Sequence, residues 1–247
     1  MSSSLGVIVQ NLALRWKNQV IFDNLSFSLS TGRCTVVLGA SGVGKTSLLK
    51  IIAGLIKPDS GIISGTDGLP LLGRCSYMSQ NDLLYPWLTV KQNITIGARL
   101  RREKCEDDWA GYLLNKVGLD KFGKSFPSTL SGGMRQRAAL ARTIYERRPV
   151  VLMDEPFSSL DALTRLKIQI LSAKLLSKRT VFLITHDPQE AYILGHCLRF
   201  LVGNPARFNS DLFLDGEPPR ISDDLLMYDK KRIIMHWLIE KLNDGEE

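Results

Sequence analysis

The stretch CTVVLGASGVGKTSLLKIIAG, residues 34–54, decides the fold. A short apolar run rich in β-branched residues ends in glycine, and a glycine-rich loop follows it. After the loop, apolar residues recur at helical spacing as far as Gly54, which is typical of a helix that ends at a glycine cap. The loop, GASGVGKT at 39–46, fits the G-x-x-x-x-G-K-[ST] pattern, which indicates phosphate binding when a strand precedes it and a helix follows. Both flanks are predicted here, so we expect a phosphate-binding loop.

The composition of the loop explains how it would hold an anion. Glycines let the backbone curl so that successive N–H groups face one phosphate, and the following helix adds its positive N-terminal end. Lys45 can reach the β- and γ-phosphates of a nucleotide, and the Thr46 hydroxyl can ligate Mg²⁺. The predicted nucleotide-binding residues of this segment are Gly39, Ala40, Ser41, Gly42, Val43, Gly44, Lys45, Thr46 and Ser47.

Polar side chains follow three further apolar runs, VVLMDEP, TVFLIT and CSYMSQ. Asp154 and Glu155 end the first run, His186 follows the second, and Gln80 ends the third. Ligands of open α/β sheets gather at the carboxyl ends of the strands. We therefore interpret Asp154 as part of the Mg²⁺ shell, Glu155 as the group that polarises the attacking water, and His186 as a γ-phosphate contact. The Gln80 amide can bind Mg²⁺ or the same water.

The order of the predicted elements gives the fold class, α/β. Alternating apolar residues over 7–16 and 20–30 predict two strands joined by a turn. Buried strands that alternate with helices, such as the one over 163–177, predict a mostly parallel sheet covered on both faces. The predicted division of a single domain, 1–247, is a core at 1–86 and 149–205, an inserted helical subdomain at 87–148, and a C-terminal extension at 206–247 with a helix over 222–243.

Composition narrows the class of protein. The chain has 247 residues, 44% of them hydrophobic, which is long enough for one large domain. No apolar run approaches the roughly 18 residues that a transmembrane helix needs, and the N-terminus does not read as a signal peptide. A net charge of +7 is compatible with a polyphosphate ligand, an anionic membrane surface or nucleic acid. Of these three, we do not expect nucleic acid. Four scattered cysteines without a CxxC pair indicate reduced thiols.

A second glycine-rich segment, LSGGMRQR at residues 130–137, contains a pair of adjacent glycines. It precedes another helical stretch, whose N-terminal dipole favours an anion. GASGVGKT, SYMSQ, LSGGMRQR, VVLMDEP, SSLDALTR and THD follow one another in the order and spacing of ATP-binding cassette (ABC) ATPases. Over about residues 5–205 the chain therefore resembles that family. The resemblance implies a P-loop NTPase fold: a RecA-like, mostly parallel sheet with N-terminal antiparallel strands and an inserted helical subdomain.

The resemblance also assigns roles within the site, with ATP and Mg²⁺ as cofactors. Beyond the first loop, the implied nucleotide-binding residues are Trp16, which stacks on adenine, Ser131, Gly132, Gly133 and the D-loop residue Asp161. The implied catalytic residues are Glu155 as base, His186 as switch histidine and Gln80. The implied metal ligands are Thr46, Gln80 and Asp154, the last directly or through water. Ser131 and its glycines would close over the γ-phosphate held by a second copy, in a head-to-tail homodimer formed with ATP.

The stretch NDLLYPWLTVKQNI, residues 81–94, resembles the L-x-P-W-x-T-V-x-x-N segment of nitrate, sulfonate, taurine and thiamine-precursor importers. One phosphate loop without a fused membrane segment fits a separate ATPase subunit. The resemblance implies transmembrane permease subunits as partners, a solute-binding protein as an indirect partner, and a peripheral place on the cytoplasmic face of the bacterial inner membrane. Trp87 would either contact the permease or fill the core. Ser79 and Gly195-His196-Cys197 depart from the family pattern.

Three other functions compete with the importer subunit. A cassette ATPase acting on soluble partners, as in iron–sulfur assembly, would not co-purify with a membrane protein. A DNA-repair ATPase would carry a long coiled-coil insertion, for which the 86-residue step from Lys45 to Ser131 leaves no room. A binding module without hydrolysis conflicts with Glu155 and His186.

Overall fold

The computed structural model describes residues 4–209 and 211–221, and the helix predicted over 222–243 lies outside them. Two β-sheets and a group of helices make up this part of the chain. The strands are β1 (Val7–Trp16), β2 (Gln19–Leu29), β3 (Cys34–Leu38), β4 (Ser60–Gly65), β5 (Cys75–Met78), β6 (Val150–Asp154), β7 (Thr180–Ile184), β8 (Cys197–Val202), β9 (Arg207–Phe208) and β10 (Leu212–Phe213). The α-helices are α1 (Lys45–Ile52), α2 (Val90–Ile94), α3 (Ile96–Leu100), α4 (Asp107–Lys116), α5 (Gly132–Tyr145), α6 (Ala162–Leu175) and α7 (Pro188–Leu194).

The smaller sheet is antiparallel, in the order β2-β1-β4. Val7, Val9, Leu12 and Leu14 of its central strand are all buried, as the alternation of apolar residues predicts. The two predicted strands are confirmed. β4 was not among the predictions, because SGIISG carries glycine and serine where a strand signal needs branched or aromatic residues.

The larger sheet has the order β10-β8-β3-β7-β6-β5, with β9 paired to β8 beside this path. The pairs β8–β3, β3–β7, β7–β6 and β6–β5 are parallel, whereas β9 and β10 run antiparallel to β8. The sheet is thus mostly parallel, as predicted. Because the inner strands are parallel, β3, β5, β6 and β7 all end at one edge, and each of the predicted functional segments starts there.

Strand β3 shows how the sheet is covered on both faces. Its five residues are all buried. Val36 and Leu38 pack into the cluster that contains the helical subdomain, α6 and α7, whereas Val37 packs into the cluster shared by α1 and the antiparallel sheet. Successive side chains of a strand point to opposite faces, so one apolar run supplies both layers of the core.

Helices α2 to α5 lie between β5 and β6 in the sequence, where the helical subdomain is predicted. The predicted helical stretch after Pro86 is divided at Thr95, whose hydroxyl donates to the Lys91 carbonyl at 3.1 Å, a contact that bends helices. Within the described residues, the longest helices are α5 and α6, each of 14 residues. No helix in the described part of the chain combines the length and the apolar character needed to cross a membrane.

The end of α1 fixes how the chain leaves the phosphate loop's helix. Gly54 follows the cap residue Ala53 with φ +73°. Its N–H donates to the Ile51 carbonyl at 2.9 Å, and the Leu55 N–H donates to the Lys50 carbonyl at 2.8 Å. These two bonds form a Schellman motif, which needs a left-handed residue at this position. The glycine cap predicted from the sequence is confirmed.

Gly54→Ala is expected to lower the free energy of unfolding by about 1 kcal/mol, since alanine is strained at positive φ. The added Cβ meets nothing within 4 Å, so the backbone alone causes the loss. Gly111→Ala is the matched control: Gly111 lies inside α4 and its Cβ is also unobstructed, so alanine should stabilise by about 0.5–1 kcal/mol. Urea denaturation measures both changes in the free energy of unfolding. An equal decrease in the two variants would contradict the role of Gly54 as a helix cap.

Candidate active site

The phosphate loop follows a path that only glycine allows at its two ends. Gly39 has φ +154°, and a Cβ there would lie 2.5 Å from the Leu201 carbonyl oxygen. Gly44 has φ +110°, and a Cβ there would lie 2.8 Å from Cγ2 of Ile21. Between them, Val43 packs its side chain into the core under the loop. The loop is therefore fixed to β2 and β8 before α1 begins at Lys45.

Lys45 lies across the mouth of this loop. Its ammonium group donates to the carbonyl oxygens of Gly39 and Ala40, at 2.8 and 2.7 Å. An ammonium carries three donors, so one remains for a phosphate oxygen. Burial lowers the pKa of Lys45, and the carboxylates of Glu155 and Asp154 oppose that shift. A cation so placed can hold a polyphosphate against the loop.

Thr46 joins the phosphate loop to strand β6. Its hydroxyl donates to Oδ2 of Asp154 at 2.7 Å. Asp154 is the last residue of β6 and is 2% exposed. Burial raises the pKa of the Asp154 carboxyl, and the hydrogen bond from Thr46 opposes that shift. A hydroxyl and a carboxylate at this separation form the pair of hard oxygen ligands that Mg²⁺ prefers.

Glu155 follows β6 in an unusual backbone conformation, with φ +46°. Its N–H donates to the Ile184 carbonyl at 2.9 Å, which keeps it in line with β7. A non-glycine residue in this region costs of order 1–3 kcal/mol, and such residues cluster at functional sites. The turn directs the carboxylate to the edge of the sheet: Oε2 accepts from Nε2 of Gln80 at 3.1 Å, and Oε1 lies 3.2 Å from Nδ1 of His186. The three predicted catalytic residues are thus brought together.

A cavity of about 280 Å³ opens beside this group. Its lining residues are Ser41, Gly42, Gly44, Lys45, Thr46, Ser47, Gln80, Asp154 and Glu155. The structure therefore gathers most of the predicted phosphate loop, all three predicted metal ligands and two of the predicted catalytic residues around one space. His186 reaches it through its contact with Glu155 and is itself mostly exposed.

Ser131 and Asp161 lie outside this lining, each at the start of a helix. Ser131 is the N-cap of α5, and its hydroxyl accepts from the Met134 N–H at 3.2 Å. Asp161 is the N-cap of α6, where the Thr164 N–H holds the pKa of the carboxyl below its usual range. Ser131, Gly132 and Asp161 are exposed. A single chain therefore leaves these predicted nucleotide contacts available to another molecule.

Gln136 lies in the LSGGMRQR segment, but no role was predicted for it from the sequence. It is 4% exposed, in α5. Its Nε2 donates to the Glu155 carbonyl at 3.2 Å, and its Oε1 accepts from the Ser159 N–H at 2.8 Å and from the Ser159 hydroxyl. It thereby joins the LSGGMRQR helix to the backbone of Glu155 and to the turn before Asp161. An amide among buried alanines in MRQRAALA is the sequence signal that could have indicated it.

The two tryptophans with predicted roles are both on the surface. Trp16 ends β1 and is 60% exposed, beside the start of β2 whose Ile21 packs under Gly44. The hairpin that carries this exposed indole also packs against the phosphate loop through Ile21, and the indole is free to stack on a base. Trp87 was predicted either to contact the permease or to fill the core. Because it is 70% exposed, the prediction of a core position is wrong.

This arrangement defines an ATP-binding cassette ATPase. The family model described as "ABC transporter" matches residues 22–158, and the chain belongs to the ABC transporter family. It binds ATP and is an ATPase, as the sequence predicts.

Relatives of known name cover nearly the whole chain. An aliphatic sulfonates import ATP-binding protein, SsuB 1 of Rhodococcus jostii (strain RHA1), is 36% identical over 97% of this chain and 96% of its own length. A taurine import ATP-binding protein, TauB of Pelagibacter ubique (strain HTCC1062), is 40% identical over 89% of this chain and 87% of its own length. Among solved structures, the dimeric post-hydrolysis state of the cassette MJ0796 bound to ADP and Pi is 27% identical, with a TM-score of 0.76 over 85% of this chain and 99% of that one.

Trp16→Ala is expected to weaken ATP binding by about tenfold, because stacking of a base on an aromatic ring is worth about 1–3 kcal/mol. The hydrolysis rate at saturating ATP should change little, since Trp16 lies outside the lining formed by the phosphate loop and the carboxylates. Fluorescent-nucleotide titration measures the affinity. Trp87→Ala, which removes another exposed indole, is the control, and equal affinities in the two variants would show that Trp16 is not part of the site.

Proposed function

We propose that the chain is the ATP-hydrolysing subunit of a bacterial importer, which couples ATP-driven head-to-tail dimerisation to uptake of a small solute. The solute belongs to the nitrate, sulfonate, taurine and thiamine-precursor class. It crosses through separate transmembrane permease subunits after delivery by a solute-binding protein. The chain itself is peripheral, on the cytoplasmic face of the inner membrane. The import names of relatives that cover 89% or more of the chain support this proposal.

The observation that carries the importer proposal is the way in which Trp87 is presented. Its ring lies against Tyr85, with 5.5 Å between centroids, and 70% of the residue is exposed. The loop that carries both is held by Asn93, which is fully buried. The Asn93 amide oxygen accepts from the Tyr85 N–H at 2.7 Å, and its two N–H donors are shared among the carbonyls of Tyr85, Leu88 and Thr89, each 3.1 Å from Nδ2. An exposed aromatic pair on a loop fixed by a satisfied buried amide is suited to bind a protein partner.

The phosphate chemistry needs Mg²⁺, and the side chains present fit it. The Thr46 hydroxyl and the Asp154 carboxylate would hold the ion on one side of the cavity, with the Gln80 amide oxygen as a further ligand. An ion held there would supply positive charge against the negative charge that develops on the phosphates during transfer. Lys45 supplies the second cation, and the phosphate loop supplies backbone N–H groups.

Glu155 acts as the base of hydrolysis. Its carboxylate can accept a proton from a water that attacks the γ-phosphate, and Gln80 and His186 fix both of its oxygens. The strained backbone of Glu155 serves this role because it holds the carboxylate at the sheet edge instead of in the strand. Ser131, with its glycines, and Asp161 complete the site of a second chain, so ATP joins two subunits and hydrolysis releases them.

Glu155→Gln is expected to retain ATP binding and to slow turnover by at least about 10²-fold, because the base is lost while the shape is kept. The variant should collect as ATP-bound dimers, which size-exclusion chromatography with light scattering detects. Adding Ser131→Arg should abolish these dimers and spare ATP binding to the monomer. Ser128→Arg, an exposed site three residues earlier, is the control that should leave the dimers intact.

These variants separate the two halves of the proposal. Monomeric Glu155→Gln with normal turnover would refute the base assignment. Loss of ATP binding in the Ser131→Arg variant would instead show that Ser131 serves the site of its own chain.

Trp87→Ala is expected to abolish stimulation of the ATPase by its permease, and to leave the basal rate unchanged, because Trp87 lies outside the nucleotide cavity. Tyr112→Ala, which removes another exposed aromatic of the helical subdomain, is the control and should keep the stimulation. Reconstitution in nanodiscs measures both rates. A wild-type chain that never binds the permease would favour a soluble-partner ATPase.

A further inference from the structure

A buried carboxyl group lies directly behind the proposed catalytic residues. Glu190, in the first turn of α7, is 4% exposed. Its Oε2 accepts from the Thr185 hydroxyl at 2.8 Å, and that hydroxyl in turn accepts from the Asp187 N–H at 3.1 Å. Its other oxygen, Oε1, is buried and has no hydrogen-bond partner in the described part of the chain. Buried polar atoms are rarely left unpaired, so Oε1 needs an explanation.

A small cavity supplies that explanation. It measures about 40 Å³, and its lining includes Glu155, Ser158, Arg165, His186 and Glu190. One water needs about 10–15 Å³ and two to four polar partners, so this space can hold water. The Nε atom of Arg165 is a second buried polar atom that has no hydrogen-bond partner among the described residues. Two residues that line one cavity thus each carry an unpaired buried polar atom, which indicates a water bound between them.

We propose that Glu190 is a positioning residue for ATP hydrolysis: its carboxyl group donates a hydrogen bond to water in this cavity, and that water holds the Glu155 carboxylate against His186. The inference rests on the proposed role of Glu155 as base. Glu190 does not touch the nucleotide. It acts through the water on one side and through Thr185, which precedes His186, on the other.

The direction of the hydrogen bonds explains why the carboxyl must carry its proton. A water that accepts from Nε of Arg165 and from the Glu190 carboxyl has two hydrogens left to donate, and the Glu155 carboxylate and the Ser158 hydroxyl line the same space. An ionised Glu190 would take one of these hydrogens and place a second negative charge beside Glu155. The proton on Glu190 therefore directs the water toward the base.

The surroundings keep this proton in place at neutral pH. The pKa of the Glu190 carboxyl is raised to about 8, chiefly by burial. The hydrogen bond from Thr185 and the charge of Arg165 oppose this shift, and the charges of Asp187 and Glu155 add to it. Five titratable or charged groups face Glu190. They are Asp187 at the cap of its own helix, Arg165 on α6, Glu155 after β6, His186 after β7, and Cys34 on β3. Burial raises the pKa of the Cys34 thiol to about 12.

The pH profile of kcat at saturating Mg-ATP tests the proposal. In the wild type, kcat should fall above a pKa of about 8, at a limit of about tenfold per pH unit. Glu190→Gln keeps the shape and a donor but does not titrate, so it should match the wild-type kcat at neutral pH and lose the alkaline fall. Glu146→Gln is the control, since Glu146 is a half-buried carboxylate paired with Arg101 in the helical subdomain, and it should keep the wild-type profile.

Two results would overturn the proposal. If Glu190→Gln retains the alkaline fall, the proton on Glu190 is not its source. If Glu190→Gln is as slow at neutral pH as Glu155→Gln, a carboxylate is needed and not a neutral donor. Glu155→Gln should be slow at every pH, so failure of the base assignment is seen separately.

The wild-type protein supplies a measurement that does not depend on a folded variant. Infrared spectra should contain the C=O stretch of a protonated carboxyl at neutral pH, which disappears as the pH rises through about 8. The stability of the fold should also decrease with rising pH. A carboxyl group whose pKa is raised in the folded state stabilises the fold while it is protonated. The thermal unfolding midpoint should therefore decrease as the pH rises from the ordinary pKa of 4.5 to about 8. A spectrum without this band at neutral pH would refute a protonated Glu190.

Discussion

The carboxyl ends of four parallel strands meet at one edge of the larger sheet, and every contact of the catalytic group depends on that constraint. The phosphate loop, Gln80, Asp154 and His186 follow β3, β5, β6 and β7, which are neighbours in the sheet but far apart in the sequence. Backbone pairing places the segments, and short side-chain contacts then align them: Thr46 with Asp154, and Glu155 with its two partners. A shift of one strand relative to the next would break both contacts.

The order of motifs and the buried strands could be predicted from the sequence, because a strand–loop–helix with GKT and apolar runs of four or five residues are local patterns. The predictions made from residue spacing alone also gave the first two strands, joined by a turn, and the glycine cap at Gly54. Gln136 and Glu190 could not be found in this way. Their importance comes from contacts that residue spacing does not show, between Gln136 and the backbone of Glu155 and between Glu190 and Thr185.

The surface tryptophans illustrate a second limit. YPWLT is as compatible with a core as with a binding surface, because the hydropathy of a residue does not show which way its loop faces. The buried Asn93 decides the matter, since its amide is satisfied by the loop backbone and leaves the indole outside. The polar residue therefore determines the exposure of the aromatic one.

Two arginines of α5 show how nucleotide state could reach that surface. Arg135 donates to the Asp82 carboxylate at 3.0 Å, and Arg142 donates to the carbonyls of Asp82 and Leu83, at 2.6 Å for the former and 2.8 Å for the latter. Both contacts hold the segment between Gln80 and Trp87 to the helix that also carries Gln136. Gln80 and Gln136 contact the side chain and the backbone of the same Glu155, so the segment and the helix are joined at both ends. These contacts form one continuous connection from Glu155 to the segment that carries Trp87 and to the helix that Ser131 caps, which is the physical link that coupling between the two places requires.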